Sequence, residues 1–327
     1  MKKGLVFTVM LLFLLFSITA CGQNEPVSMD QDKGGISSLE VTELISDEWK
    51  SSSHSYAIVA TADRGIGCAK CHDGVGFADQ LEYTDKAFEP PHQTGIDCQA
   101  CHTGFGKERM STGLTELPFM SEPFEAGLGA VCASCHNSNR NPSHLFAQSE
   151  AGELQRYTYP HYGMNAALLT GKGGMEIPGR EYIVSIAHAT IEDSCVACHM
   201  PETEDGYRKH TFAMDMAYYD QTCASCHTDV SGTYNIGGLQ DEIKVMLDKL
   251  ELAILDAAGA SKIDAAGGAF IFYDNNGEVM TDIPHEAYVA TYNWRIVKKD
   301  GSYGVHNPLY AKSLLKESYN YLTGNEL

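Results

Sequence analysis

The apolar positions of the chain fall into three stretches of different character. Leu5 to Phe16 is an unbroken run of apolar or near-apolar residues behind Lys2 and Lys3. It is shorter than the roughly 20 residues that a membrane-crossing helix needs, and it fits the central part of an export signal, so residues 1–20 are expected to be a signal peptide. Residues 22–38 carry no apolar periodicity and read as a flexible tether, with the tether region as a whole set at 21–50. From there to about residue 232 the pattern is broken, glycine-rich and poor in long periodic segments, as in GKGGMEIPG at 171–179. Short helices, long loops and little sheet are expected in that region. Beyond it the helical period returns. Leu239–Ala258 places Ile243, Met246, Leu247, Leu250 and Ile254 on one face. Glu286–Lys298 is a second expected helix, and Leu309–Leu322 a third, with Leu315, Tyr319 and Leu322 aligned. Asn307 can cap that last helix and Pro308 suits its first turn. A turn is expected at Asn275-Asn276-Gly277. The fold class read from this pattern is mainly α with extensive loops and a helical brace at 233–327, packed on the region before it.

Composition adds compartment and charge. Ile18-Thr19-Ala20-Cys21 resembles a bacterial lipobox, which makes Cys21 the candidate lipidation site. Gly22 follows, with no aspartate to favour inner-membrane retention, so the expected address is the periplasmic face of the outer membrane or the cell surface. The full chain of 327 residues carries −20, and loss of Lys2 and Lys3 takes this to −22. So acidic a surface disfavours nucleic acid and favours basic partners.

Ten of the eleven cysteines fall into one repeated pattern, C-x-x-C-H. It occurs as CAKCH at 68–72, CQACH at 98–102, CASCH at 132–136, CVACH at 195–199 and CASCH at 223–227. Disulfides or zinc sites could use the cysteine pairs, but neither needs a histidine directly after the second cysteine. Covalent c-type haem needs both: the cysteines bond the macrocycle and the histidine reaches the iron. The thioether residues are then Cys68, Cys71, Cys98, Cys101, Cys132, Cys135, Cys195, Cys198, Cys223 and Cys226. The proximal iron ligands are His72, His102, His136, His199 and His227. Five haem c groups within residues 51–232 leave too little chain for an ordinary core around each, so the macrocycles are expected to supply much of the core there.

Eight histidines remain for the opposite faces of five irons. That supply favours bis-histidine ligation, which gives lower potentials than His/Met ligation. The eight are His54, His92, His144, His161, His188, His210, His285 and His306. His188 stands seven residues before Cys195 and is expected to serve a haem other than the one His199 holds. Met200 adjoins a proximal histidine and is a poor ligand for the far face.

The order of motifs resembles the pentahaem ammonia-forming cytochrome c nitrite reductases and their multihaem relatives, including octahaem tetrathionate reductase and hydroxylamine oxidoreductase. The residues that carry the resemblance are HSYAIVATAD at 54–63, AVCASCH at 130–136, CVACHMP at 195–201, KHTFAMD at 209–215 and GVHNP at 304–308. It implies distal-ligand roles for His54, His188, His210 and His306, and an active-site position for His161 in YPHYGMN; these five are the distal candidates, with His92 in reserve and His144 and His285 expected at the surface or in loops. The departures are specific. The family's catalytic haem is attached by C-x-x-C-K, whereas the first motif here ends in His72. The active-site tyrosine expected after the third motif is replaced by Asn137-Ser138-Asn139-Arg140, and Ser51-Ser52-Ser53 stand where an arginine would precede His54. The sequence therefore points to an electron-carrying pentahaem lipoprotein of anaerobic respiration or extracellular electron transfer. Its partners would be other redox proteins, such as quinol-oxidising or outer-membrane cytochromes, with a possible homodimer through the C-terminal helices. The alternative is a reductase of nitrite, hydroxylamine or a sulfur oxyanion, using His161.

Overall fold

The computed structural model describes residues 36–56, 66–80, 95–228 and 232–327. Cys21 and His92, the candidate lipidation site and the reserve ligand, lie outside them, as does the export segment. From Ser38 onward the chain forms one compact unit. It is mainly helical, and the strands among the described residues form two two-stranded antiparallel pairs, Leu114–Thr115 with Phe124–Glu125 and Lys262–Ala266 with Ala269–Tyr273.

The C-terminal helices lie where their apolar periods put them. They span Leu239–Ala258, His285–Asp300 and Pro308–Thr323. Ile243, Leu250 and Ile254 of the first are fully buried against Tyr288, Tyr292 and Ile296 of the second and Tyr310, Leu314 and Leu315 of the third. Each such side chain contributes about 1.5–3 kcal/mol by leaving water. Asn307 caps the third helix, its side chain accepting from Tyr310 N at 3.2 Å, with Pro308 in the first turn.

The structure departs from the sequence reading in four places. Ser38–Ser51, assigned to the tether, is a helix. Val41, Ile45 and Trp49 recur every four residues on its half-buried side, and Trp49 Nε1 donates to Ile96 O at 2.8 Å. Secondly, a conventional core does exist before residue 232. Leu145, Phe146, Met164, Leu168, Met175 and Ile177 join the apolar cluster of the C-terminal helices. The long segment between the third and fourth motifs supplies it, and GKGGMEIPG is an ordered strap. In that strap Met175 N and O bond Asn293 at 2.7 and 2.9 Å, and Gly174 N donates to Tyr310 Oη at 3.0 Å. Thirdly, a hairpin turns at Gly267-Gly268, where both glycines take positive φ as a tight two-residue turn requires. Its edge extends to Tyr157–Tyr159: Phe270 N donates to Tyr157 O at 2.8 Å and Tyr159 N to Gly268 O at 3.3 Å. Finally, His285 opens a helix instead of lying in a loop. Its Nδ1 pairs with Ser149 Oγ at 2.9 Å, and Phe146 and Tyr321 stand edge-on to its ring. His144 is exposed, as expected.

Candidate functional site

The attachment motifs start or follow very short helices. Ile66–His72, Cys98–His102 and Cys195–His199 carry the first, second and fourth motifs. The third begins within Ala130–Ala133, and the fifth follows directly after Tyr219–Thr222. The ten motif cysteines are all unpaired by disulfide. Motifs distant in sequence are neighbours in space. The Cys71 thiol faces that of Cys135, the Cys132 thiol faces that of Cys195, and Cys223 is the main charge neighbour of Cys198. Cys101 packs in one cluster with Cys132 and Cys135. The first, third, fourth and fifth motifs thus follow one another, with the second beside the third. Gly129 permits the closest of these approaches: a Cβ there would stand 2.8 Å from Asp193 O and 2.9 Å from Cys195 N.

Each motif histidine faces one other histidine. Ring centroids are 6.0 Å apart for His72 and His161, 6.1 Å for His54 and His136, 6.2 Å for His102 and His210, 6.2 Å for His188 and His227, and 6.3 Å for His199 and His306. A metal–imidazole bond is about 2 Å long, and with one ring radius on either side two imidazoles sharing a metal have centroids roughly 6 Å apart. The spacing of each pair therefore fits two imidazoles on one iron. His188 lies opposite His227, while His199 lies opposite His306.

The hydrogen bonds at the remote ring nitrogens agree with this. Six of the ten imidazoles have a partner at Nδ1 among the described residues: His136 with Asn165 Oδ1 at 3.0 Å, His161 with Tyr162 O at 3.2 Å, His188 with Val305 O at 2.6 Å, His199 with Phe212 O at 2.9 Å, His210 with Arg208 O at 2.6 Å and His306 with Asp300 Oδ1 at 2.7 Å. An Nδ1–H held by an acceptor leaves Nε2 as the lone-pair nitrogen for a metal. Burial depresses the pKa of His54 to about 4, with His136 adding to the effect. Burial likewise lowers His72, His136, His199 and His210. The neutral imidazole that results is the coordinating form. His306 differs: burial pulls its pKa down, but the charge and hydrogen bond of Asp300 outweigh burial and hold it above the ordinary histidine range.

Five residues of this arrangement were not read from the sequence. Asp300 is buried and accepts from His306 and from both Ser302 N, at 3.2 Å, and Ser302 Oγ. Asn165 Nδ2 donates to Asp300 O at 2.9 Å and to Asp300 Oδ1 at 3.3 Å, so one chain of side chains runs from His136 through Asn165 and Asp300 to His306. Phe212, at φ 56°, stands edge-on to His54 at 4.6 Å and lies 5.9 Å from His210, while its carbonyl holds His199. Glu48 accepts from His210 N at 2.7 Å and from Tyr207 Oη at 3.2 Å, tying the N-terminal helix to the loop of His210. The last is Arg295, inside the second brace helix and 4% exposed, with its guanidinium 4.4 Å from the Tyr159 ring and 4.9 Å from the Tyr162 ring. An arginine three residues after the buried Tyr292, on a core-facing stripe, is a polar intrusion that periodicity could have flagged.

Comparison with known proteins agrees with this chemistry. The cytochrome c552 family model matches residues 175–326. A cytochrome c-552 of Aliarcobacter butzleri (strain RM4018) is 28% identical over 127 residues, which are 37% of this chain and 24% of that protein. The crystal structure of the outer cell wall cytochrome OcwA is similar to this fold with a TM-score of 0.50 at 21% identity, over 84% of this chain and 50% of that one. The matches thus span about a quarter and a half of those two proteins. The family match covers the last two motifs and the whole motif-free brace, including His188, His210 and His306. Taken with the repeated attachment motif and the paired imidazoles, the partial family match supports a multihaem c-type cytochrome.

Proposed function

We propose that the protein is a pentahaem electron carrier in which histidine ligates both faces of every iron. The single observation that carries this reading is the set of five histidine pairs at 6.0–6.3 Å, each joining one motif histidine to one of the five distal candidates. Covalent haem, when bound, supplies the one-electron redox change. The chain supplies the rest. The cysteines fix position, the paired imidazoles leave no vacant metal face, and the side-by-side motifs set a path from the first motif through the third and fourth to the fifth. A reductase would need an open face opposite His72, and the His161 ring stands there at 6.0 Å.

The cellular setting belongs to the same proposal. Cys21 would carry the lipid, and residues 22–37 would tether the unit that begins at Ser38. No helix among the described residues is long and apolar enough to cross a membrane. The chain's negative charge favours basic faces on its redox partners.

A magnetic spectrum of the oxidised holoprotein, together with its intact mass, tests the reading. Five porphyrins, all low-spin and inert to nitrite, hydroxylamine and cyanide, are the expected result. A high-spin iron that binds any of these would overturn the carrier role, and a mass short of five porphyrins would overturn the haem count.

A further inference from the structure

We infer that Ser138, Arg140, Tyr292 and Arg295 form a carboxylate-binding cradle beside His161, and that its occupant is a propionate of the haem attached at Cys68 and Cys71. The inference rests on the pentahaem reading above.

The observation behind it is a cluster of buried donors short of acceptors. Nε and Nη2 of Arg295 and Nε of Arg140 are buried and without a hydrogen-bond partner among the described residues, and the buried Tyr292 and Ser138 hydroxyls have no partner but each other. Arg295 is 4% exposed, and Tyr292 and Ser138 are 0% exposed. Neither arginine has a carboxylate partner among the described residues; Arg140 Nη1 reaches only Asn139 O at 2.7 Å. Arg295 is instead wrapped by aromatic faces, with Phe270 at 5.8 Å beyond Tyr159 and Tyr162. Ring faces attract a cation less strongly than its lost hydration did, so a buried guanidinium calls for an anion.

Ser138, Arg140 and Tyr292 lie together, and Arg295 sits one helical turn beyond Tyr292. The Tyr292 and Ser138 hydroxyls adjoin, and the Arg140 charge acts on Tyr292 and on Tyr288 one turn before it. Tyr292 and Arg295 lie three residues apart on one helix. The cluster also touches the first haem's ligand. His161 N donates to Ser138 O at 3.0 Å, and Tyr162, stacked with Arg295, directly follows His161. Two cations and two hydroxyls, with no acid among them, match the charge and acceptor count of a carboxylate. A haem carries two propionates, and the haem between His72 and His161, whose His161 bonds Ser138, is the proposed source. A small oxyanion from solution has the same chemistry and is the competing source.

Full-length holoprotein of wild type and of the R295Q, R295K and Y292F variants would be compared by intact mass, ferric magnetic spectrum and spectroelectrochemical titration. With a propionate in the cradle, R295Q leaves a negative charge uncompensated beside one iron. Its reduction equilibrium constant then falls about tenfold, which is 59 mV for one electron, while the other haems stay put. R295K restores most of the loss, and Y292F lowers the same midpoint by less. No displaced midpoint in R295Q or Y292F would overturn the inference. So would a wild-type midpoint that moves when nitrite or acetate is titrated in, with the response lost in R295Q, because the cradle would then be open to solution anions. If R295Q fails to load haem, the Y292F midpoint decides. A wild type with fewer than five low-spin haems removes the pentahaem reading itself, and the mass and spectrum report that independently of any midpoint.

Discussion

His306 and His161 face motif histidines at nearly the same distance, 6.3 and 6.0 Å, yet opposite charges stand behind them. His306 Nδ1 is held at 2.7 Å by Asp300, a buried carboxylate. His161 Nδ1 meets a main-chain carbonyl, that of Tyr162, and the buried guanidinium of Arg295 lies over the ring of that same Tyr162. A carboxylate on the far nitrogen makes an imidazole a stronger donor and favours the ferric ion. A nearby cation favours the ferrous ion. Identical ligands can therefore yield unlike potentials, and in the proposed row the His199/His306 iron should be the poorer electron acceptor and the His72/His161 iron the better one. What distinguishes the haems is the outer ring of side chains.

The comparison can be broken most severely by removing a ligand. His306→Ala should leave one of five haems high-spin and able to bind cyanide in the ferric magnetic spectrum; a fully low-spin spectrum would mean that His199 has another partner. Asp300→Asn should keep all haems low-spin and raise one midpoint. Loss of a partner of this kind typically changes metal affinity by about 10–100-fold, and tenfold in a one-electron equilibrium is about 59 mV. Spectroelectrochemistry reads this directly, and a downward or absent shift contradicts the assigned sign. Combining Asp300→Asn with Arg295→Gln should narrow the spread between the two haems by close to the sum of the single shifts, since their side chains act on different irons. The smallest effect is expected from Glu48→Ala. It leaves His210 N without its acceptor and unpins the Ser38–Ser51 helix, at a cost of about 1–3 kcal/mol for the unsatisfied group. Thermal unfolding followed at the Soret band should shift down by a few degrees, and the His102/His210 midpoint should rise by less than the Asp300→Asn shift.

The two regions were not equally legible in the sequence. The brace helices could be read because each buries a wide apolar stripe, and the Leu239–Ala258 helix has the bounds expected of it. The histidines could be named as candidates because their number exceeds the motifs. Which faces which depends on chain crossings that no local pattern encodes. His161 illustrates the limit. Its approach to His72 depends on Tyr157–Tyr159 pairing with the hairpin edge at Gly268–Phe270, more than a hundred residues later. The hairpin had its own signal, Gly267-Gly268 before an alternating Ala-Phe-Ile-Phe-Tyr, but expecting little sheet hid it. The Ser38–Ser51 helix was missed for a related reason. Its neighbours are polar and uniform, and composition prevailed over a stripe of only three residues. Asp300 and Arg295 are single charged residues in helices whose other surface charges are unremarkable, so only burial marks them out.

The pairing of His199 with His306 also sets an order of events for the chain during its assembly. A polypeptide delivered from its N-terminal side presents Cys195, Cys198 and His199 long before residue 306. A porphyrin joined there would wait with one side bare until the third brace helix emerged and swung His306 across. His54, by contrast, precedes His136 and is ready at once. The second motif waits as long, since His210 follows His102 by 108 residues, so both are places where a half-made molecule would be reactive toward passing small molecules, and at the fourth the arrival of the last helix closes it.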